Sequence, residues 1–305
     1  MGSTTVVSAV KRILRQAGVP KTRIGHGGTL DPLATGVLPI ALGEATKLAG
    51  RMLEARKAYD FTIRFGEQTS TLDLEGEVVA TSDMRPTLAE LEAILPRFTG
   101  EIEQVPPAFS ALKVGGKRAY DLARAGEEVQ LKSRRVTVFK LLPLGVEARS
   151  AGGVSDDPSV SCADISTAGE KLTEVTLSAT VSKGTYIRSL AGDIALALGT
   201  VGHVAMLRRT KAGPFTLDQA ISLDFLAEAA KGLRLTETVL PLEAGLDDIP
   251  ALPVAPDQAQ LLRHGQRLTG FPVKPGLHLA TDDGRPVALV EASADGLQVV
   301  RGFNI

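Results

Sequence analysis

The sequence predicts a mixed α+β protein with a small β-rich unit at its C-terminal end, on three observations. Segments with apolar residues at helical spacing alternate along the chain with segments that alternate apolar and polar residues strictly, the marks of half-buried helices and strands. The last thirty residues hold three short apolar runs joined by Asp282-Asp283-Gly284 and Ala294-Asp295-Gly296, which are hairpin turn signals. The length, 305 residues, exceeds that of a typical single core and suits two domains.

The elements follow in order. Val6, Val10, Ile13 and Leu14 share one face of a helix over 5–17, with Ser3 or Thr4 as N-cap and Gly18 as stop. A glycine-rich loop follows at 25–36, and Pro32 keeps Asp31 out of helical geometry, placing its carboxylate on extended or turn backbone. Tyr59, Phe61, Ile63 and Phe65 alternate with Ala58, Asp60, Thr62 and Arg64, which predicts a strand with one apolar face. Thr87-Leu88-Ala89-Glu90 is a capping box that opens a helix running to about Phe98. Residues 104–135 carry a proline pair, a Gly-Gly turn and mixed charge and read as an excursion from the core. The glycine, serine and aspartate of 149–172 predict a flexible surface loop. Val175, Leu177, Ala179 and Val181 form a second alternating strand, which runs through Ser182-Lys183-Gly184 into a helix at about 185–198 closed by Gly199. That junction places Tyr186 and Arg188 in the first helical turn. A helix and a proline-punctuated linker occupy 220–250, then a helix from Pro256 to Gly265 and strands near 277–280, 287–290 and 297–300.

Composition narrows the function. The formal net charge is -1, which argues against a uniformly basic nucleic-acid binder. The charge is uneven, however. Residues 1–30 carry Lys11, Arg12, Arg15, Lys21 and Arg23 and no carboxylate. A second basic region holds Lys113, Lys117, Arg118, Arg124, Lys132, Arg134 and Arg135, and a third Lys183, Arg188, Arg208, Arg209 and Lys211. The approach to the last strands is acidic. Such asymmetry suits a protein that meets a polyanion on one face, although any one cluster reads equally as solvated surface. The single cysteine, Cys162, excludes a disulfide framework and a cysteine-rich zinc site and reads as a bystander. No apolar run is long enough to cross a bilayer and no signal peptide opens the chain, so a cytoplasmic location is expected.

Several chemistries are excluded. Gly115-Gly116-Lys117 lacks the earlier glycine of a phosphate loop, and Leu30 stands where a dinucleotide fingerprint needs its third glycine. His26, His203, His264 and His278 have no metal-ligand spacing, and no Gly-x-Ser-x-Gly elbow is present. The glycines of 25–36 then serve either plain turn geometry or the close approach of backbone to a bulky ligand.

The stretch Gly25-His26-Gly27-Gly28-Thr29-Leu30-Asp31-Pro32-Leu33-Ala34-Thr35-Gly36, followed by Leu42-Gly43-Glu44-Ala45-Thr46-Lys47, closely resembles the signature of the TruB family of tRNA pseudouridine synthases. Further blocks match in the same order: Lys57-Ala58-Tyr59, Phe65 to Gly76, Gln104 to Lys113, Ser182 to Arg188, and Gly202 to Arg209. Together they span about residues 3–215. The resemblance implies a catalytic domain over 1–245, built on a mixed, mainly antiparallel sheet with flanking helices, in which 104–135 grips RNA. By size and strand pattern, 246–305 resembles a PUA-like domain. Family members usually open with a short strand ending Asp-Lys-Pro, whereas this sequence begins Met1-Gly2-Ser3-Thr4. Either the native start lies upstream or the sheet edge is altered.

The activity implied is isomerisation of the T-loop uridine known as position 55 of tRNA. The N-glycosidic bond is cut, uracil turns in the pocket, and C5 bonds to C1′. One carboxylate suffices, because uracil leaves as a stabilised anion and is retained, whereas hydrolysis of an ordinary glycoside needs a pair. By the match, Asp31 either attacks C1′ or assists loss of the 2′ proton, Arg188 pairs with it, and Tyr59 stacks on the target base and is a candidate proton acceptor. Tyr186 and Leu207 line the pocket wall, and His26 helps hold the loop with its uridine extruded. Lys113, with Lys117, Arg118 and the 132–135 cluster, lies in the RNA-gripping segment, while Lys183, Arg208 and Arg209 are expected to meet phosphates; His203 is expected to be structural. The resemblance implies no cofactor and no guide RNA, with the tRNA T-arm as partner; no metal and no membrane are expected from the residues, and a monomer is the default. Two other readings are a tRNA-folding helper that needs no turnover and a guide-RNA-dependent synthase. Intact Asp31, Tyr59 and Arg188 favour catalysis over the first, and the segment 104–135 with the lack of long basic tails argues against the second.

Overall fold

The computed structural model describes residues 1–127, 129, 131–148 and 170–305. Cys162 and most of the predicted 149–172 loop lie outside the described residues. The chain forms two compact units, one of Met1–Leu30, Leu38–Leu53 and Ala212–Ile305, the other of Asp31–Val37 and Glu54–Lys211.

The second unit is built on a mixed, mainly antiparallel sheet. Its strands lie in the order Gly202–Ala212, Lys57–Phe65, Leu172–Val181, Arg134–Ala148 and Gly100–Gln104. The last four pair antiparallel with one another, while the two-residue strand Thr35–Gly36 joins Gly202–Ala212 in parallel. Two-residue alternation decides which side chains enter the core. Phe61, Ile63 and Phe65 of one strand and Val175, Leu177, Ala179 and Val181 of the next are all buried, and Leu190, Ala191, Ile194 and Ala195 of the Ile187–Ala197 helix pack in the same cluster. Burying an aliphatic or aromatic side chain stabilises by roughly 1.5–3 kcal/mol, so this layer fixes the strand register on which the site depends.

The expected capping box is present: Glu90 N–H donates to Thr87 Oγ1 at 3.2 Å and Thr87 N–H to Glu90 Oε2 at 2.7 Å. The α-helix it opens ends at Ile94 and continues as a 3-10 turn, Leu95–Phe98. Pro96 explains the early stop, since it has no N–H and its ring crowds the carbonyl four residues back. The excursion 104–135 holds a small hairpin pairing Lys113–Val114 with Lys117–Arg118, and a short helix, Ala119–Arg124.

In the first unit the N-terminal helix spans Ser3–Gln16, with Val7, Val10, Ile13 and Leu14 buried. Its N-cap is Gly2, not Ser3 or Thr4. The Ser3 hydroxyl is employed elsewhere: it donates to the Leu30 carbonyl at 3.2 Å and accepts from Leu30 N–H at 2.8 Å. A serine buried at the helix start thus anchors the glycine-rich loop. The C-terminal strands Gly276–Asp282, Arg285–Ser293 and Gly296–Gly302 form a meander, with Ala251–Pro253 parallel on its edge. Asp283 and Gly284 both have positive φ, +50° and +75°, the requirement of a type I′ hairpin turn. The Pro256–Arg263 helix lays Ala259 and Leu262 against this sheet's core.

Among the described residues no helix is long and apolar enough to cross a membrane, and no cluster of His, Cys, Asp and Glu could hold a metal ion.

Candidate active site

Asp31 begins a tight turn. Its carbonyl accepts from Ala34 N–H at 3.0 Å, and Pro32 occupies the second position, where a fixed φ suits the turn. Two of the loop's glycines are required by the protein's own packing. Gly36 has φ +95°, and a Cβ there would collide with the Arg209 carbonyl oxygen; one at Gly27 would crowd Met52. Of the two uses left open for these glycines, Gly36 and Gly27 thus serve close approach of backbone, but to neighbouring chain.

The Ile187–Ala197 helix supplies Arg188, which is 5% exposed. It makes four hydrogen bonds and one further ion-pair contact. Nε donates to Asp31 Oδ2 at 3.0 Å and Nη2 to Asp31 Oδ1 at 3.3 Å, a two-point grip. Nη2 also donates to the Phe109 carbonyl and Nη1 to the Thr71 carbonyl, each at 3.0 Å. Finally, Nη1 lies 3.2 Å from Asp73 Oδ2. One guanidinium therefore holds two carboxylates, and the trio carries a net negative charge.

Asp73 is the residue that sequence reasoning missed. It is 6% exposed, and its carboxylate accepts from Thr71 Oγ1 at 2.5 Å and from Glu75 N–H at 2.9 Å. Beside it Leu72 holds φ +61°, unusual for a branched side chain, and its carbonyl accepts from Val204 N–H. Asp73 lies within the matched Phe65–Gly76 block, so the signal was present, but no local rule separates it from the surface acids around it.

A cleft lined by Asp31, Leu33, Ala34, Asp73, Arg188 and residues 204–207 brings Leu207 to the same wall as the two carboxylates. Tyr59 packs on the edge of the core cluster. Burial pushes its hydroxyl above the ordinary tyrosine range. Arg209 opposes that by charge and by a hydrogen bond, and the charge of Asp31 adds to the rise. Lys57, two residues earlier on the same strand face, is 8% exposed. Burial, and then the charge of Arg209, pull its ammonium down to about 8 against the counter-effect of Glu54.

Tyr186 is the N-cap of the helix rather than a member of its first turn. The buried Gln104 clamps its backbone, accepting from Tyr186 N–H at 2.8 Å and donating to its carbonyl at 3.0 Å. Arg134 sits 4.8 Å above its ring. With Ser189 Oγ donating to the Val105 carbonyl at 2.8 Å, the 104–110 segment is stapled to the helix that carries Arg188.

Among the expected RNA-binding cations the arrangement divides. Lys113 and Arg208 are exposed, and exposed Lys183 pairs with Glu54. Arg209 corrects the sequence reading: it is 1% exposed and its Nε donates to the Val37 carbonyl at 2.7 Å. In a strand, neighbours point to opposite faces, so Arg208 faces out and Arg209 in. His203 is buried, with Nδ1 against the Glu67 carbonyl at 2.8 Å, a structural role. His26 belongs to the first unit, half-buried at the end of the Ile24–His26 strand, and among the described residues its Nδ1 has no hydrogen-bond partner.

Residues 11–187 match the TruB family pseudouridylate synthase N-terminal domain, and 188–247 the tRNA pseudouridylate synthase B C-terminal domain. A relative from Novosphingobium aromaticivorans, described as tRNA pseudouridine synthase B, is 58% identical over 305 residues, all of this chain and 94% of its own. One of the same description from Zymomonas mobilis is 53% identical over 304 residues, covering 100% of this chain and 92% of its own. Among solved structures, an H/ACA RNP bound to a substrate RNA containing 2′-deoxyuridine superimposes with TM-score 0.70 at 23% identity, over 100% of this chain and 82% of that one. That likeness concerns the fold alone.

Proposed function

This chain belongs to the TruB family of pseudouridylate synthases, and we propose that it isomerises the T-loop uridine at position 55 of tRNA with Asp31 as its nucleophile. It is a tRNA pseudouridine synthase, an isomerase. The observation that carries the finer reading is the two-point grip of Arg188 on Asp31 at the wall of an apolar-sided cleft.

A carboxylate held by two charge-assisted hydrogen bonds is aimed by them. In the proposed reaction Asp31 either attacks C1′ as the N-glycosidic bond breaks or takes part in loss of the 2′ proton; both release uracil as an anion. Leu207 and its neighbours limit water at the cleft, so the anion turns and bonds through C5 to C1′ as the Asp31–C1′ bond breaks or, on the other route, as the 2′ proton returns. Tyr59 supplies a ring for the base to stack on, and loss of the C5 proton with uptake of one at N1 completes the product. The aromatic face is worth roughly 1–3 kcal/mol per stacked base, which helps offset the few kcal/mol spent on extruding the nucleotide. Tyr186 walls the pocket, His26 supports the extruded loop, and Lys113, Lys183 and Arg208 meet phosphates.

The same reading treats 1–245 as catalytic and 246–305 as a PUA-like RNA-binding region, in a monomer that acts in the cytoplasm without a guide RNA or cofactor. The test is to map pseudouridine in a full tRNA transcript incubated with the purified protein alone. Product at position 55 supports the proposal. Product elsewhere, or a need for added guide RNA, overturns it.

A further inference from the structure

Arg209 has a place in the site that its neighbour in sequence does not. Its guanidinium is wholly buried, donates through Nε to the Val37 carbonyl, and also hydrogen-bonds the Tyr59 hydroxyl. The backbone answers in the other direction, with Val37 N–H donating to the Arg209 carbonyl at 2.8 Å. Thr35 and Gly36 run parallel to Arg208 and Arg209, so close that Gly36 tolerates no Cβ. The segment Asp31–Val37 thus carries Asp31 at one end and is fastened to Arg209 at the other, while the same guanidinium reaches Tyr59 on the next strand. Taking a guanidinium out of water is costly.

We propose that Arg209 is a positioning residue for the isomerisation: through the Tyr59 hydroxyl it fixes the aromatic ring, and through the Val37 carbonyl it fixes that ring's register with the Asp31 loop. Arginine suits the task because its planar fork presents donors in rigid directions. The inference rests on the reading that Tyr59 stacks on the target base, and deepens it by naming what orients the ring.

The experiment measures kcat, KM and thermal midpoint for Arg209→Gln, Arg209→Lys, Tyr59→Phe and the two double variants on a purified T-arm hairpin. Misplacing a reacting group by about 1 Å can cost on the order of 100-fold in rate, so Arg209→Gln is expected to lower kcat by about that factor with little change in KM. Tyr59→Phe removes the same bond, so the double variant should be no slower than the slower single, and Arg209→Lys should recover part of the rate. Multiplying losses in the double variant overturn the proposal, as does a loss confined to KM and deepened by salt, the mark of a phosphate contact. Should Arg209→Gln unfold, Arg209→Lys decides: its combination with Tyr59→Phe must be no slower than the slower single variant, and losses that multiply there contradict the role. Tyr59→Leu separates the two levels. An unaltered kcat there defeats the stacking role itself, whereas a slow Tyr59→Leu beside multiplying Arg209 and Tyr59→Phe losses defeats only the positioning role.

Discussion

Arg188 holds Asp31 at two points, Nε to Oδ2 at 3.0 Å and Nη2 to Oδ1 at 3.3 Å, and holds Asp73 with its remaining terminal nitrogen at 3.2 Å. Two carboxylates that would otherwise repel share one charge, and each is aimed by it.

The fork is the property that matters. Lysine keeps the charge but offers a single point of attachment. Arg188→Lys should lower kcat by about 100-fold while affinity for tRNA is unchanged, as measured by single-turnover rates beside filter binding. A variant as fast as the parent would show that aim is irrelevant.

Asp73 acts on the other side of the same guanidinium. Asp73→Asn removes a charge-assisted contact to Arg188 and weakens those from Thr71 and Glu75. Hydrogen bonds to charged groups contribute roughly 1.5–3 kcal/mol, so unfolding in denaturant should shift by about 2 kcal/mol. An unmoved midpoint would mean that the second carboxylate is idle.

Gly36 tests the backbone beneath the loop. Alanine there must adopt φ +95° with its Cβ driven into the Arg209 carbonyl. Gly36→Ala should cost more than about 1 kcal/mol of stability and slow the reaction with it. Full activity at an unchanged melting temperature would contradict the close approach.

Lys57 predicts a pH signature in stability. Its folded value, about 8, lies below its ordinary 10.5, so between those values the unfolded chain binds more protons and stability rises with pH. One such group gives a slope of up to about 1.4 kcal/mol per pH unit. Tyr59 works oppositely, since its folded value is raised and its share of stability is lost only above its ordinary 10. Denaturant midpoints from pH 8 to 10 should therefore climb, and the climb should disappear in Lys57→Met. A climb that survives the substitution belongs to another group.

Much of this was legible in the sequence. Alternation in 59–65 and 175–181 gave the central strands, the Thr87–Glu90 box gave a helix start, and Asp31, Tyr59 and Arg188 stood in matched blocks. What escaped has physical causes. Ser3 reads as a cap by local rules, but its hydroxyl bonds a loop 27 residues away. Arg208 and Arg209 read as a pair until strand geometry separates their faces. Asp73 gains its meaning from a helix more than a hundred residues later, a relation that no local pattern encodes.

The most direct test of the central claim is pseudouridine formation by Asp31→Asn and Asp31→Ala on a purified T-arm hairpin, with binding measured in parallel. The nucleophile assignment predicts no detectable product while the hairpin still binds, with affinity falling steeply as salt rises because phosphates dominate the contact. Conversion of uridine by either variant would contradict it.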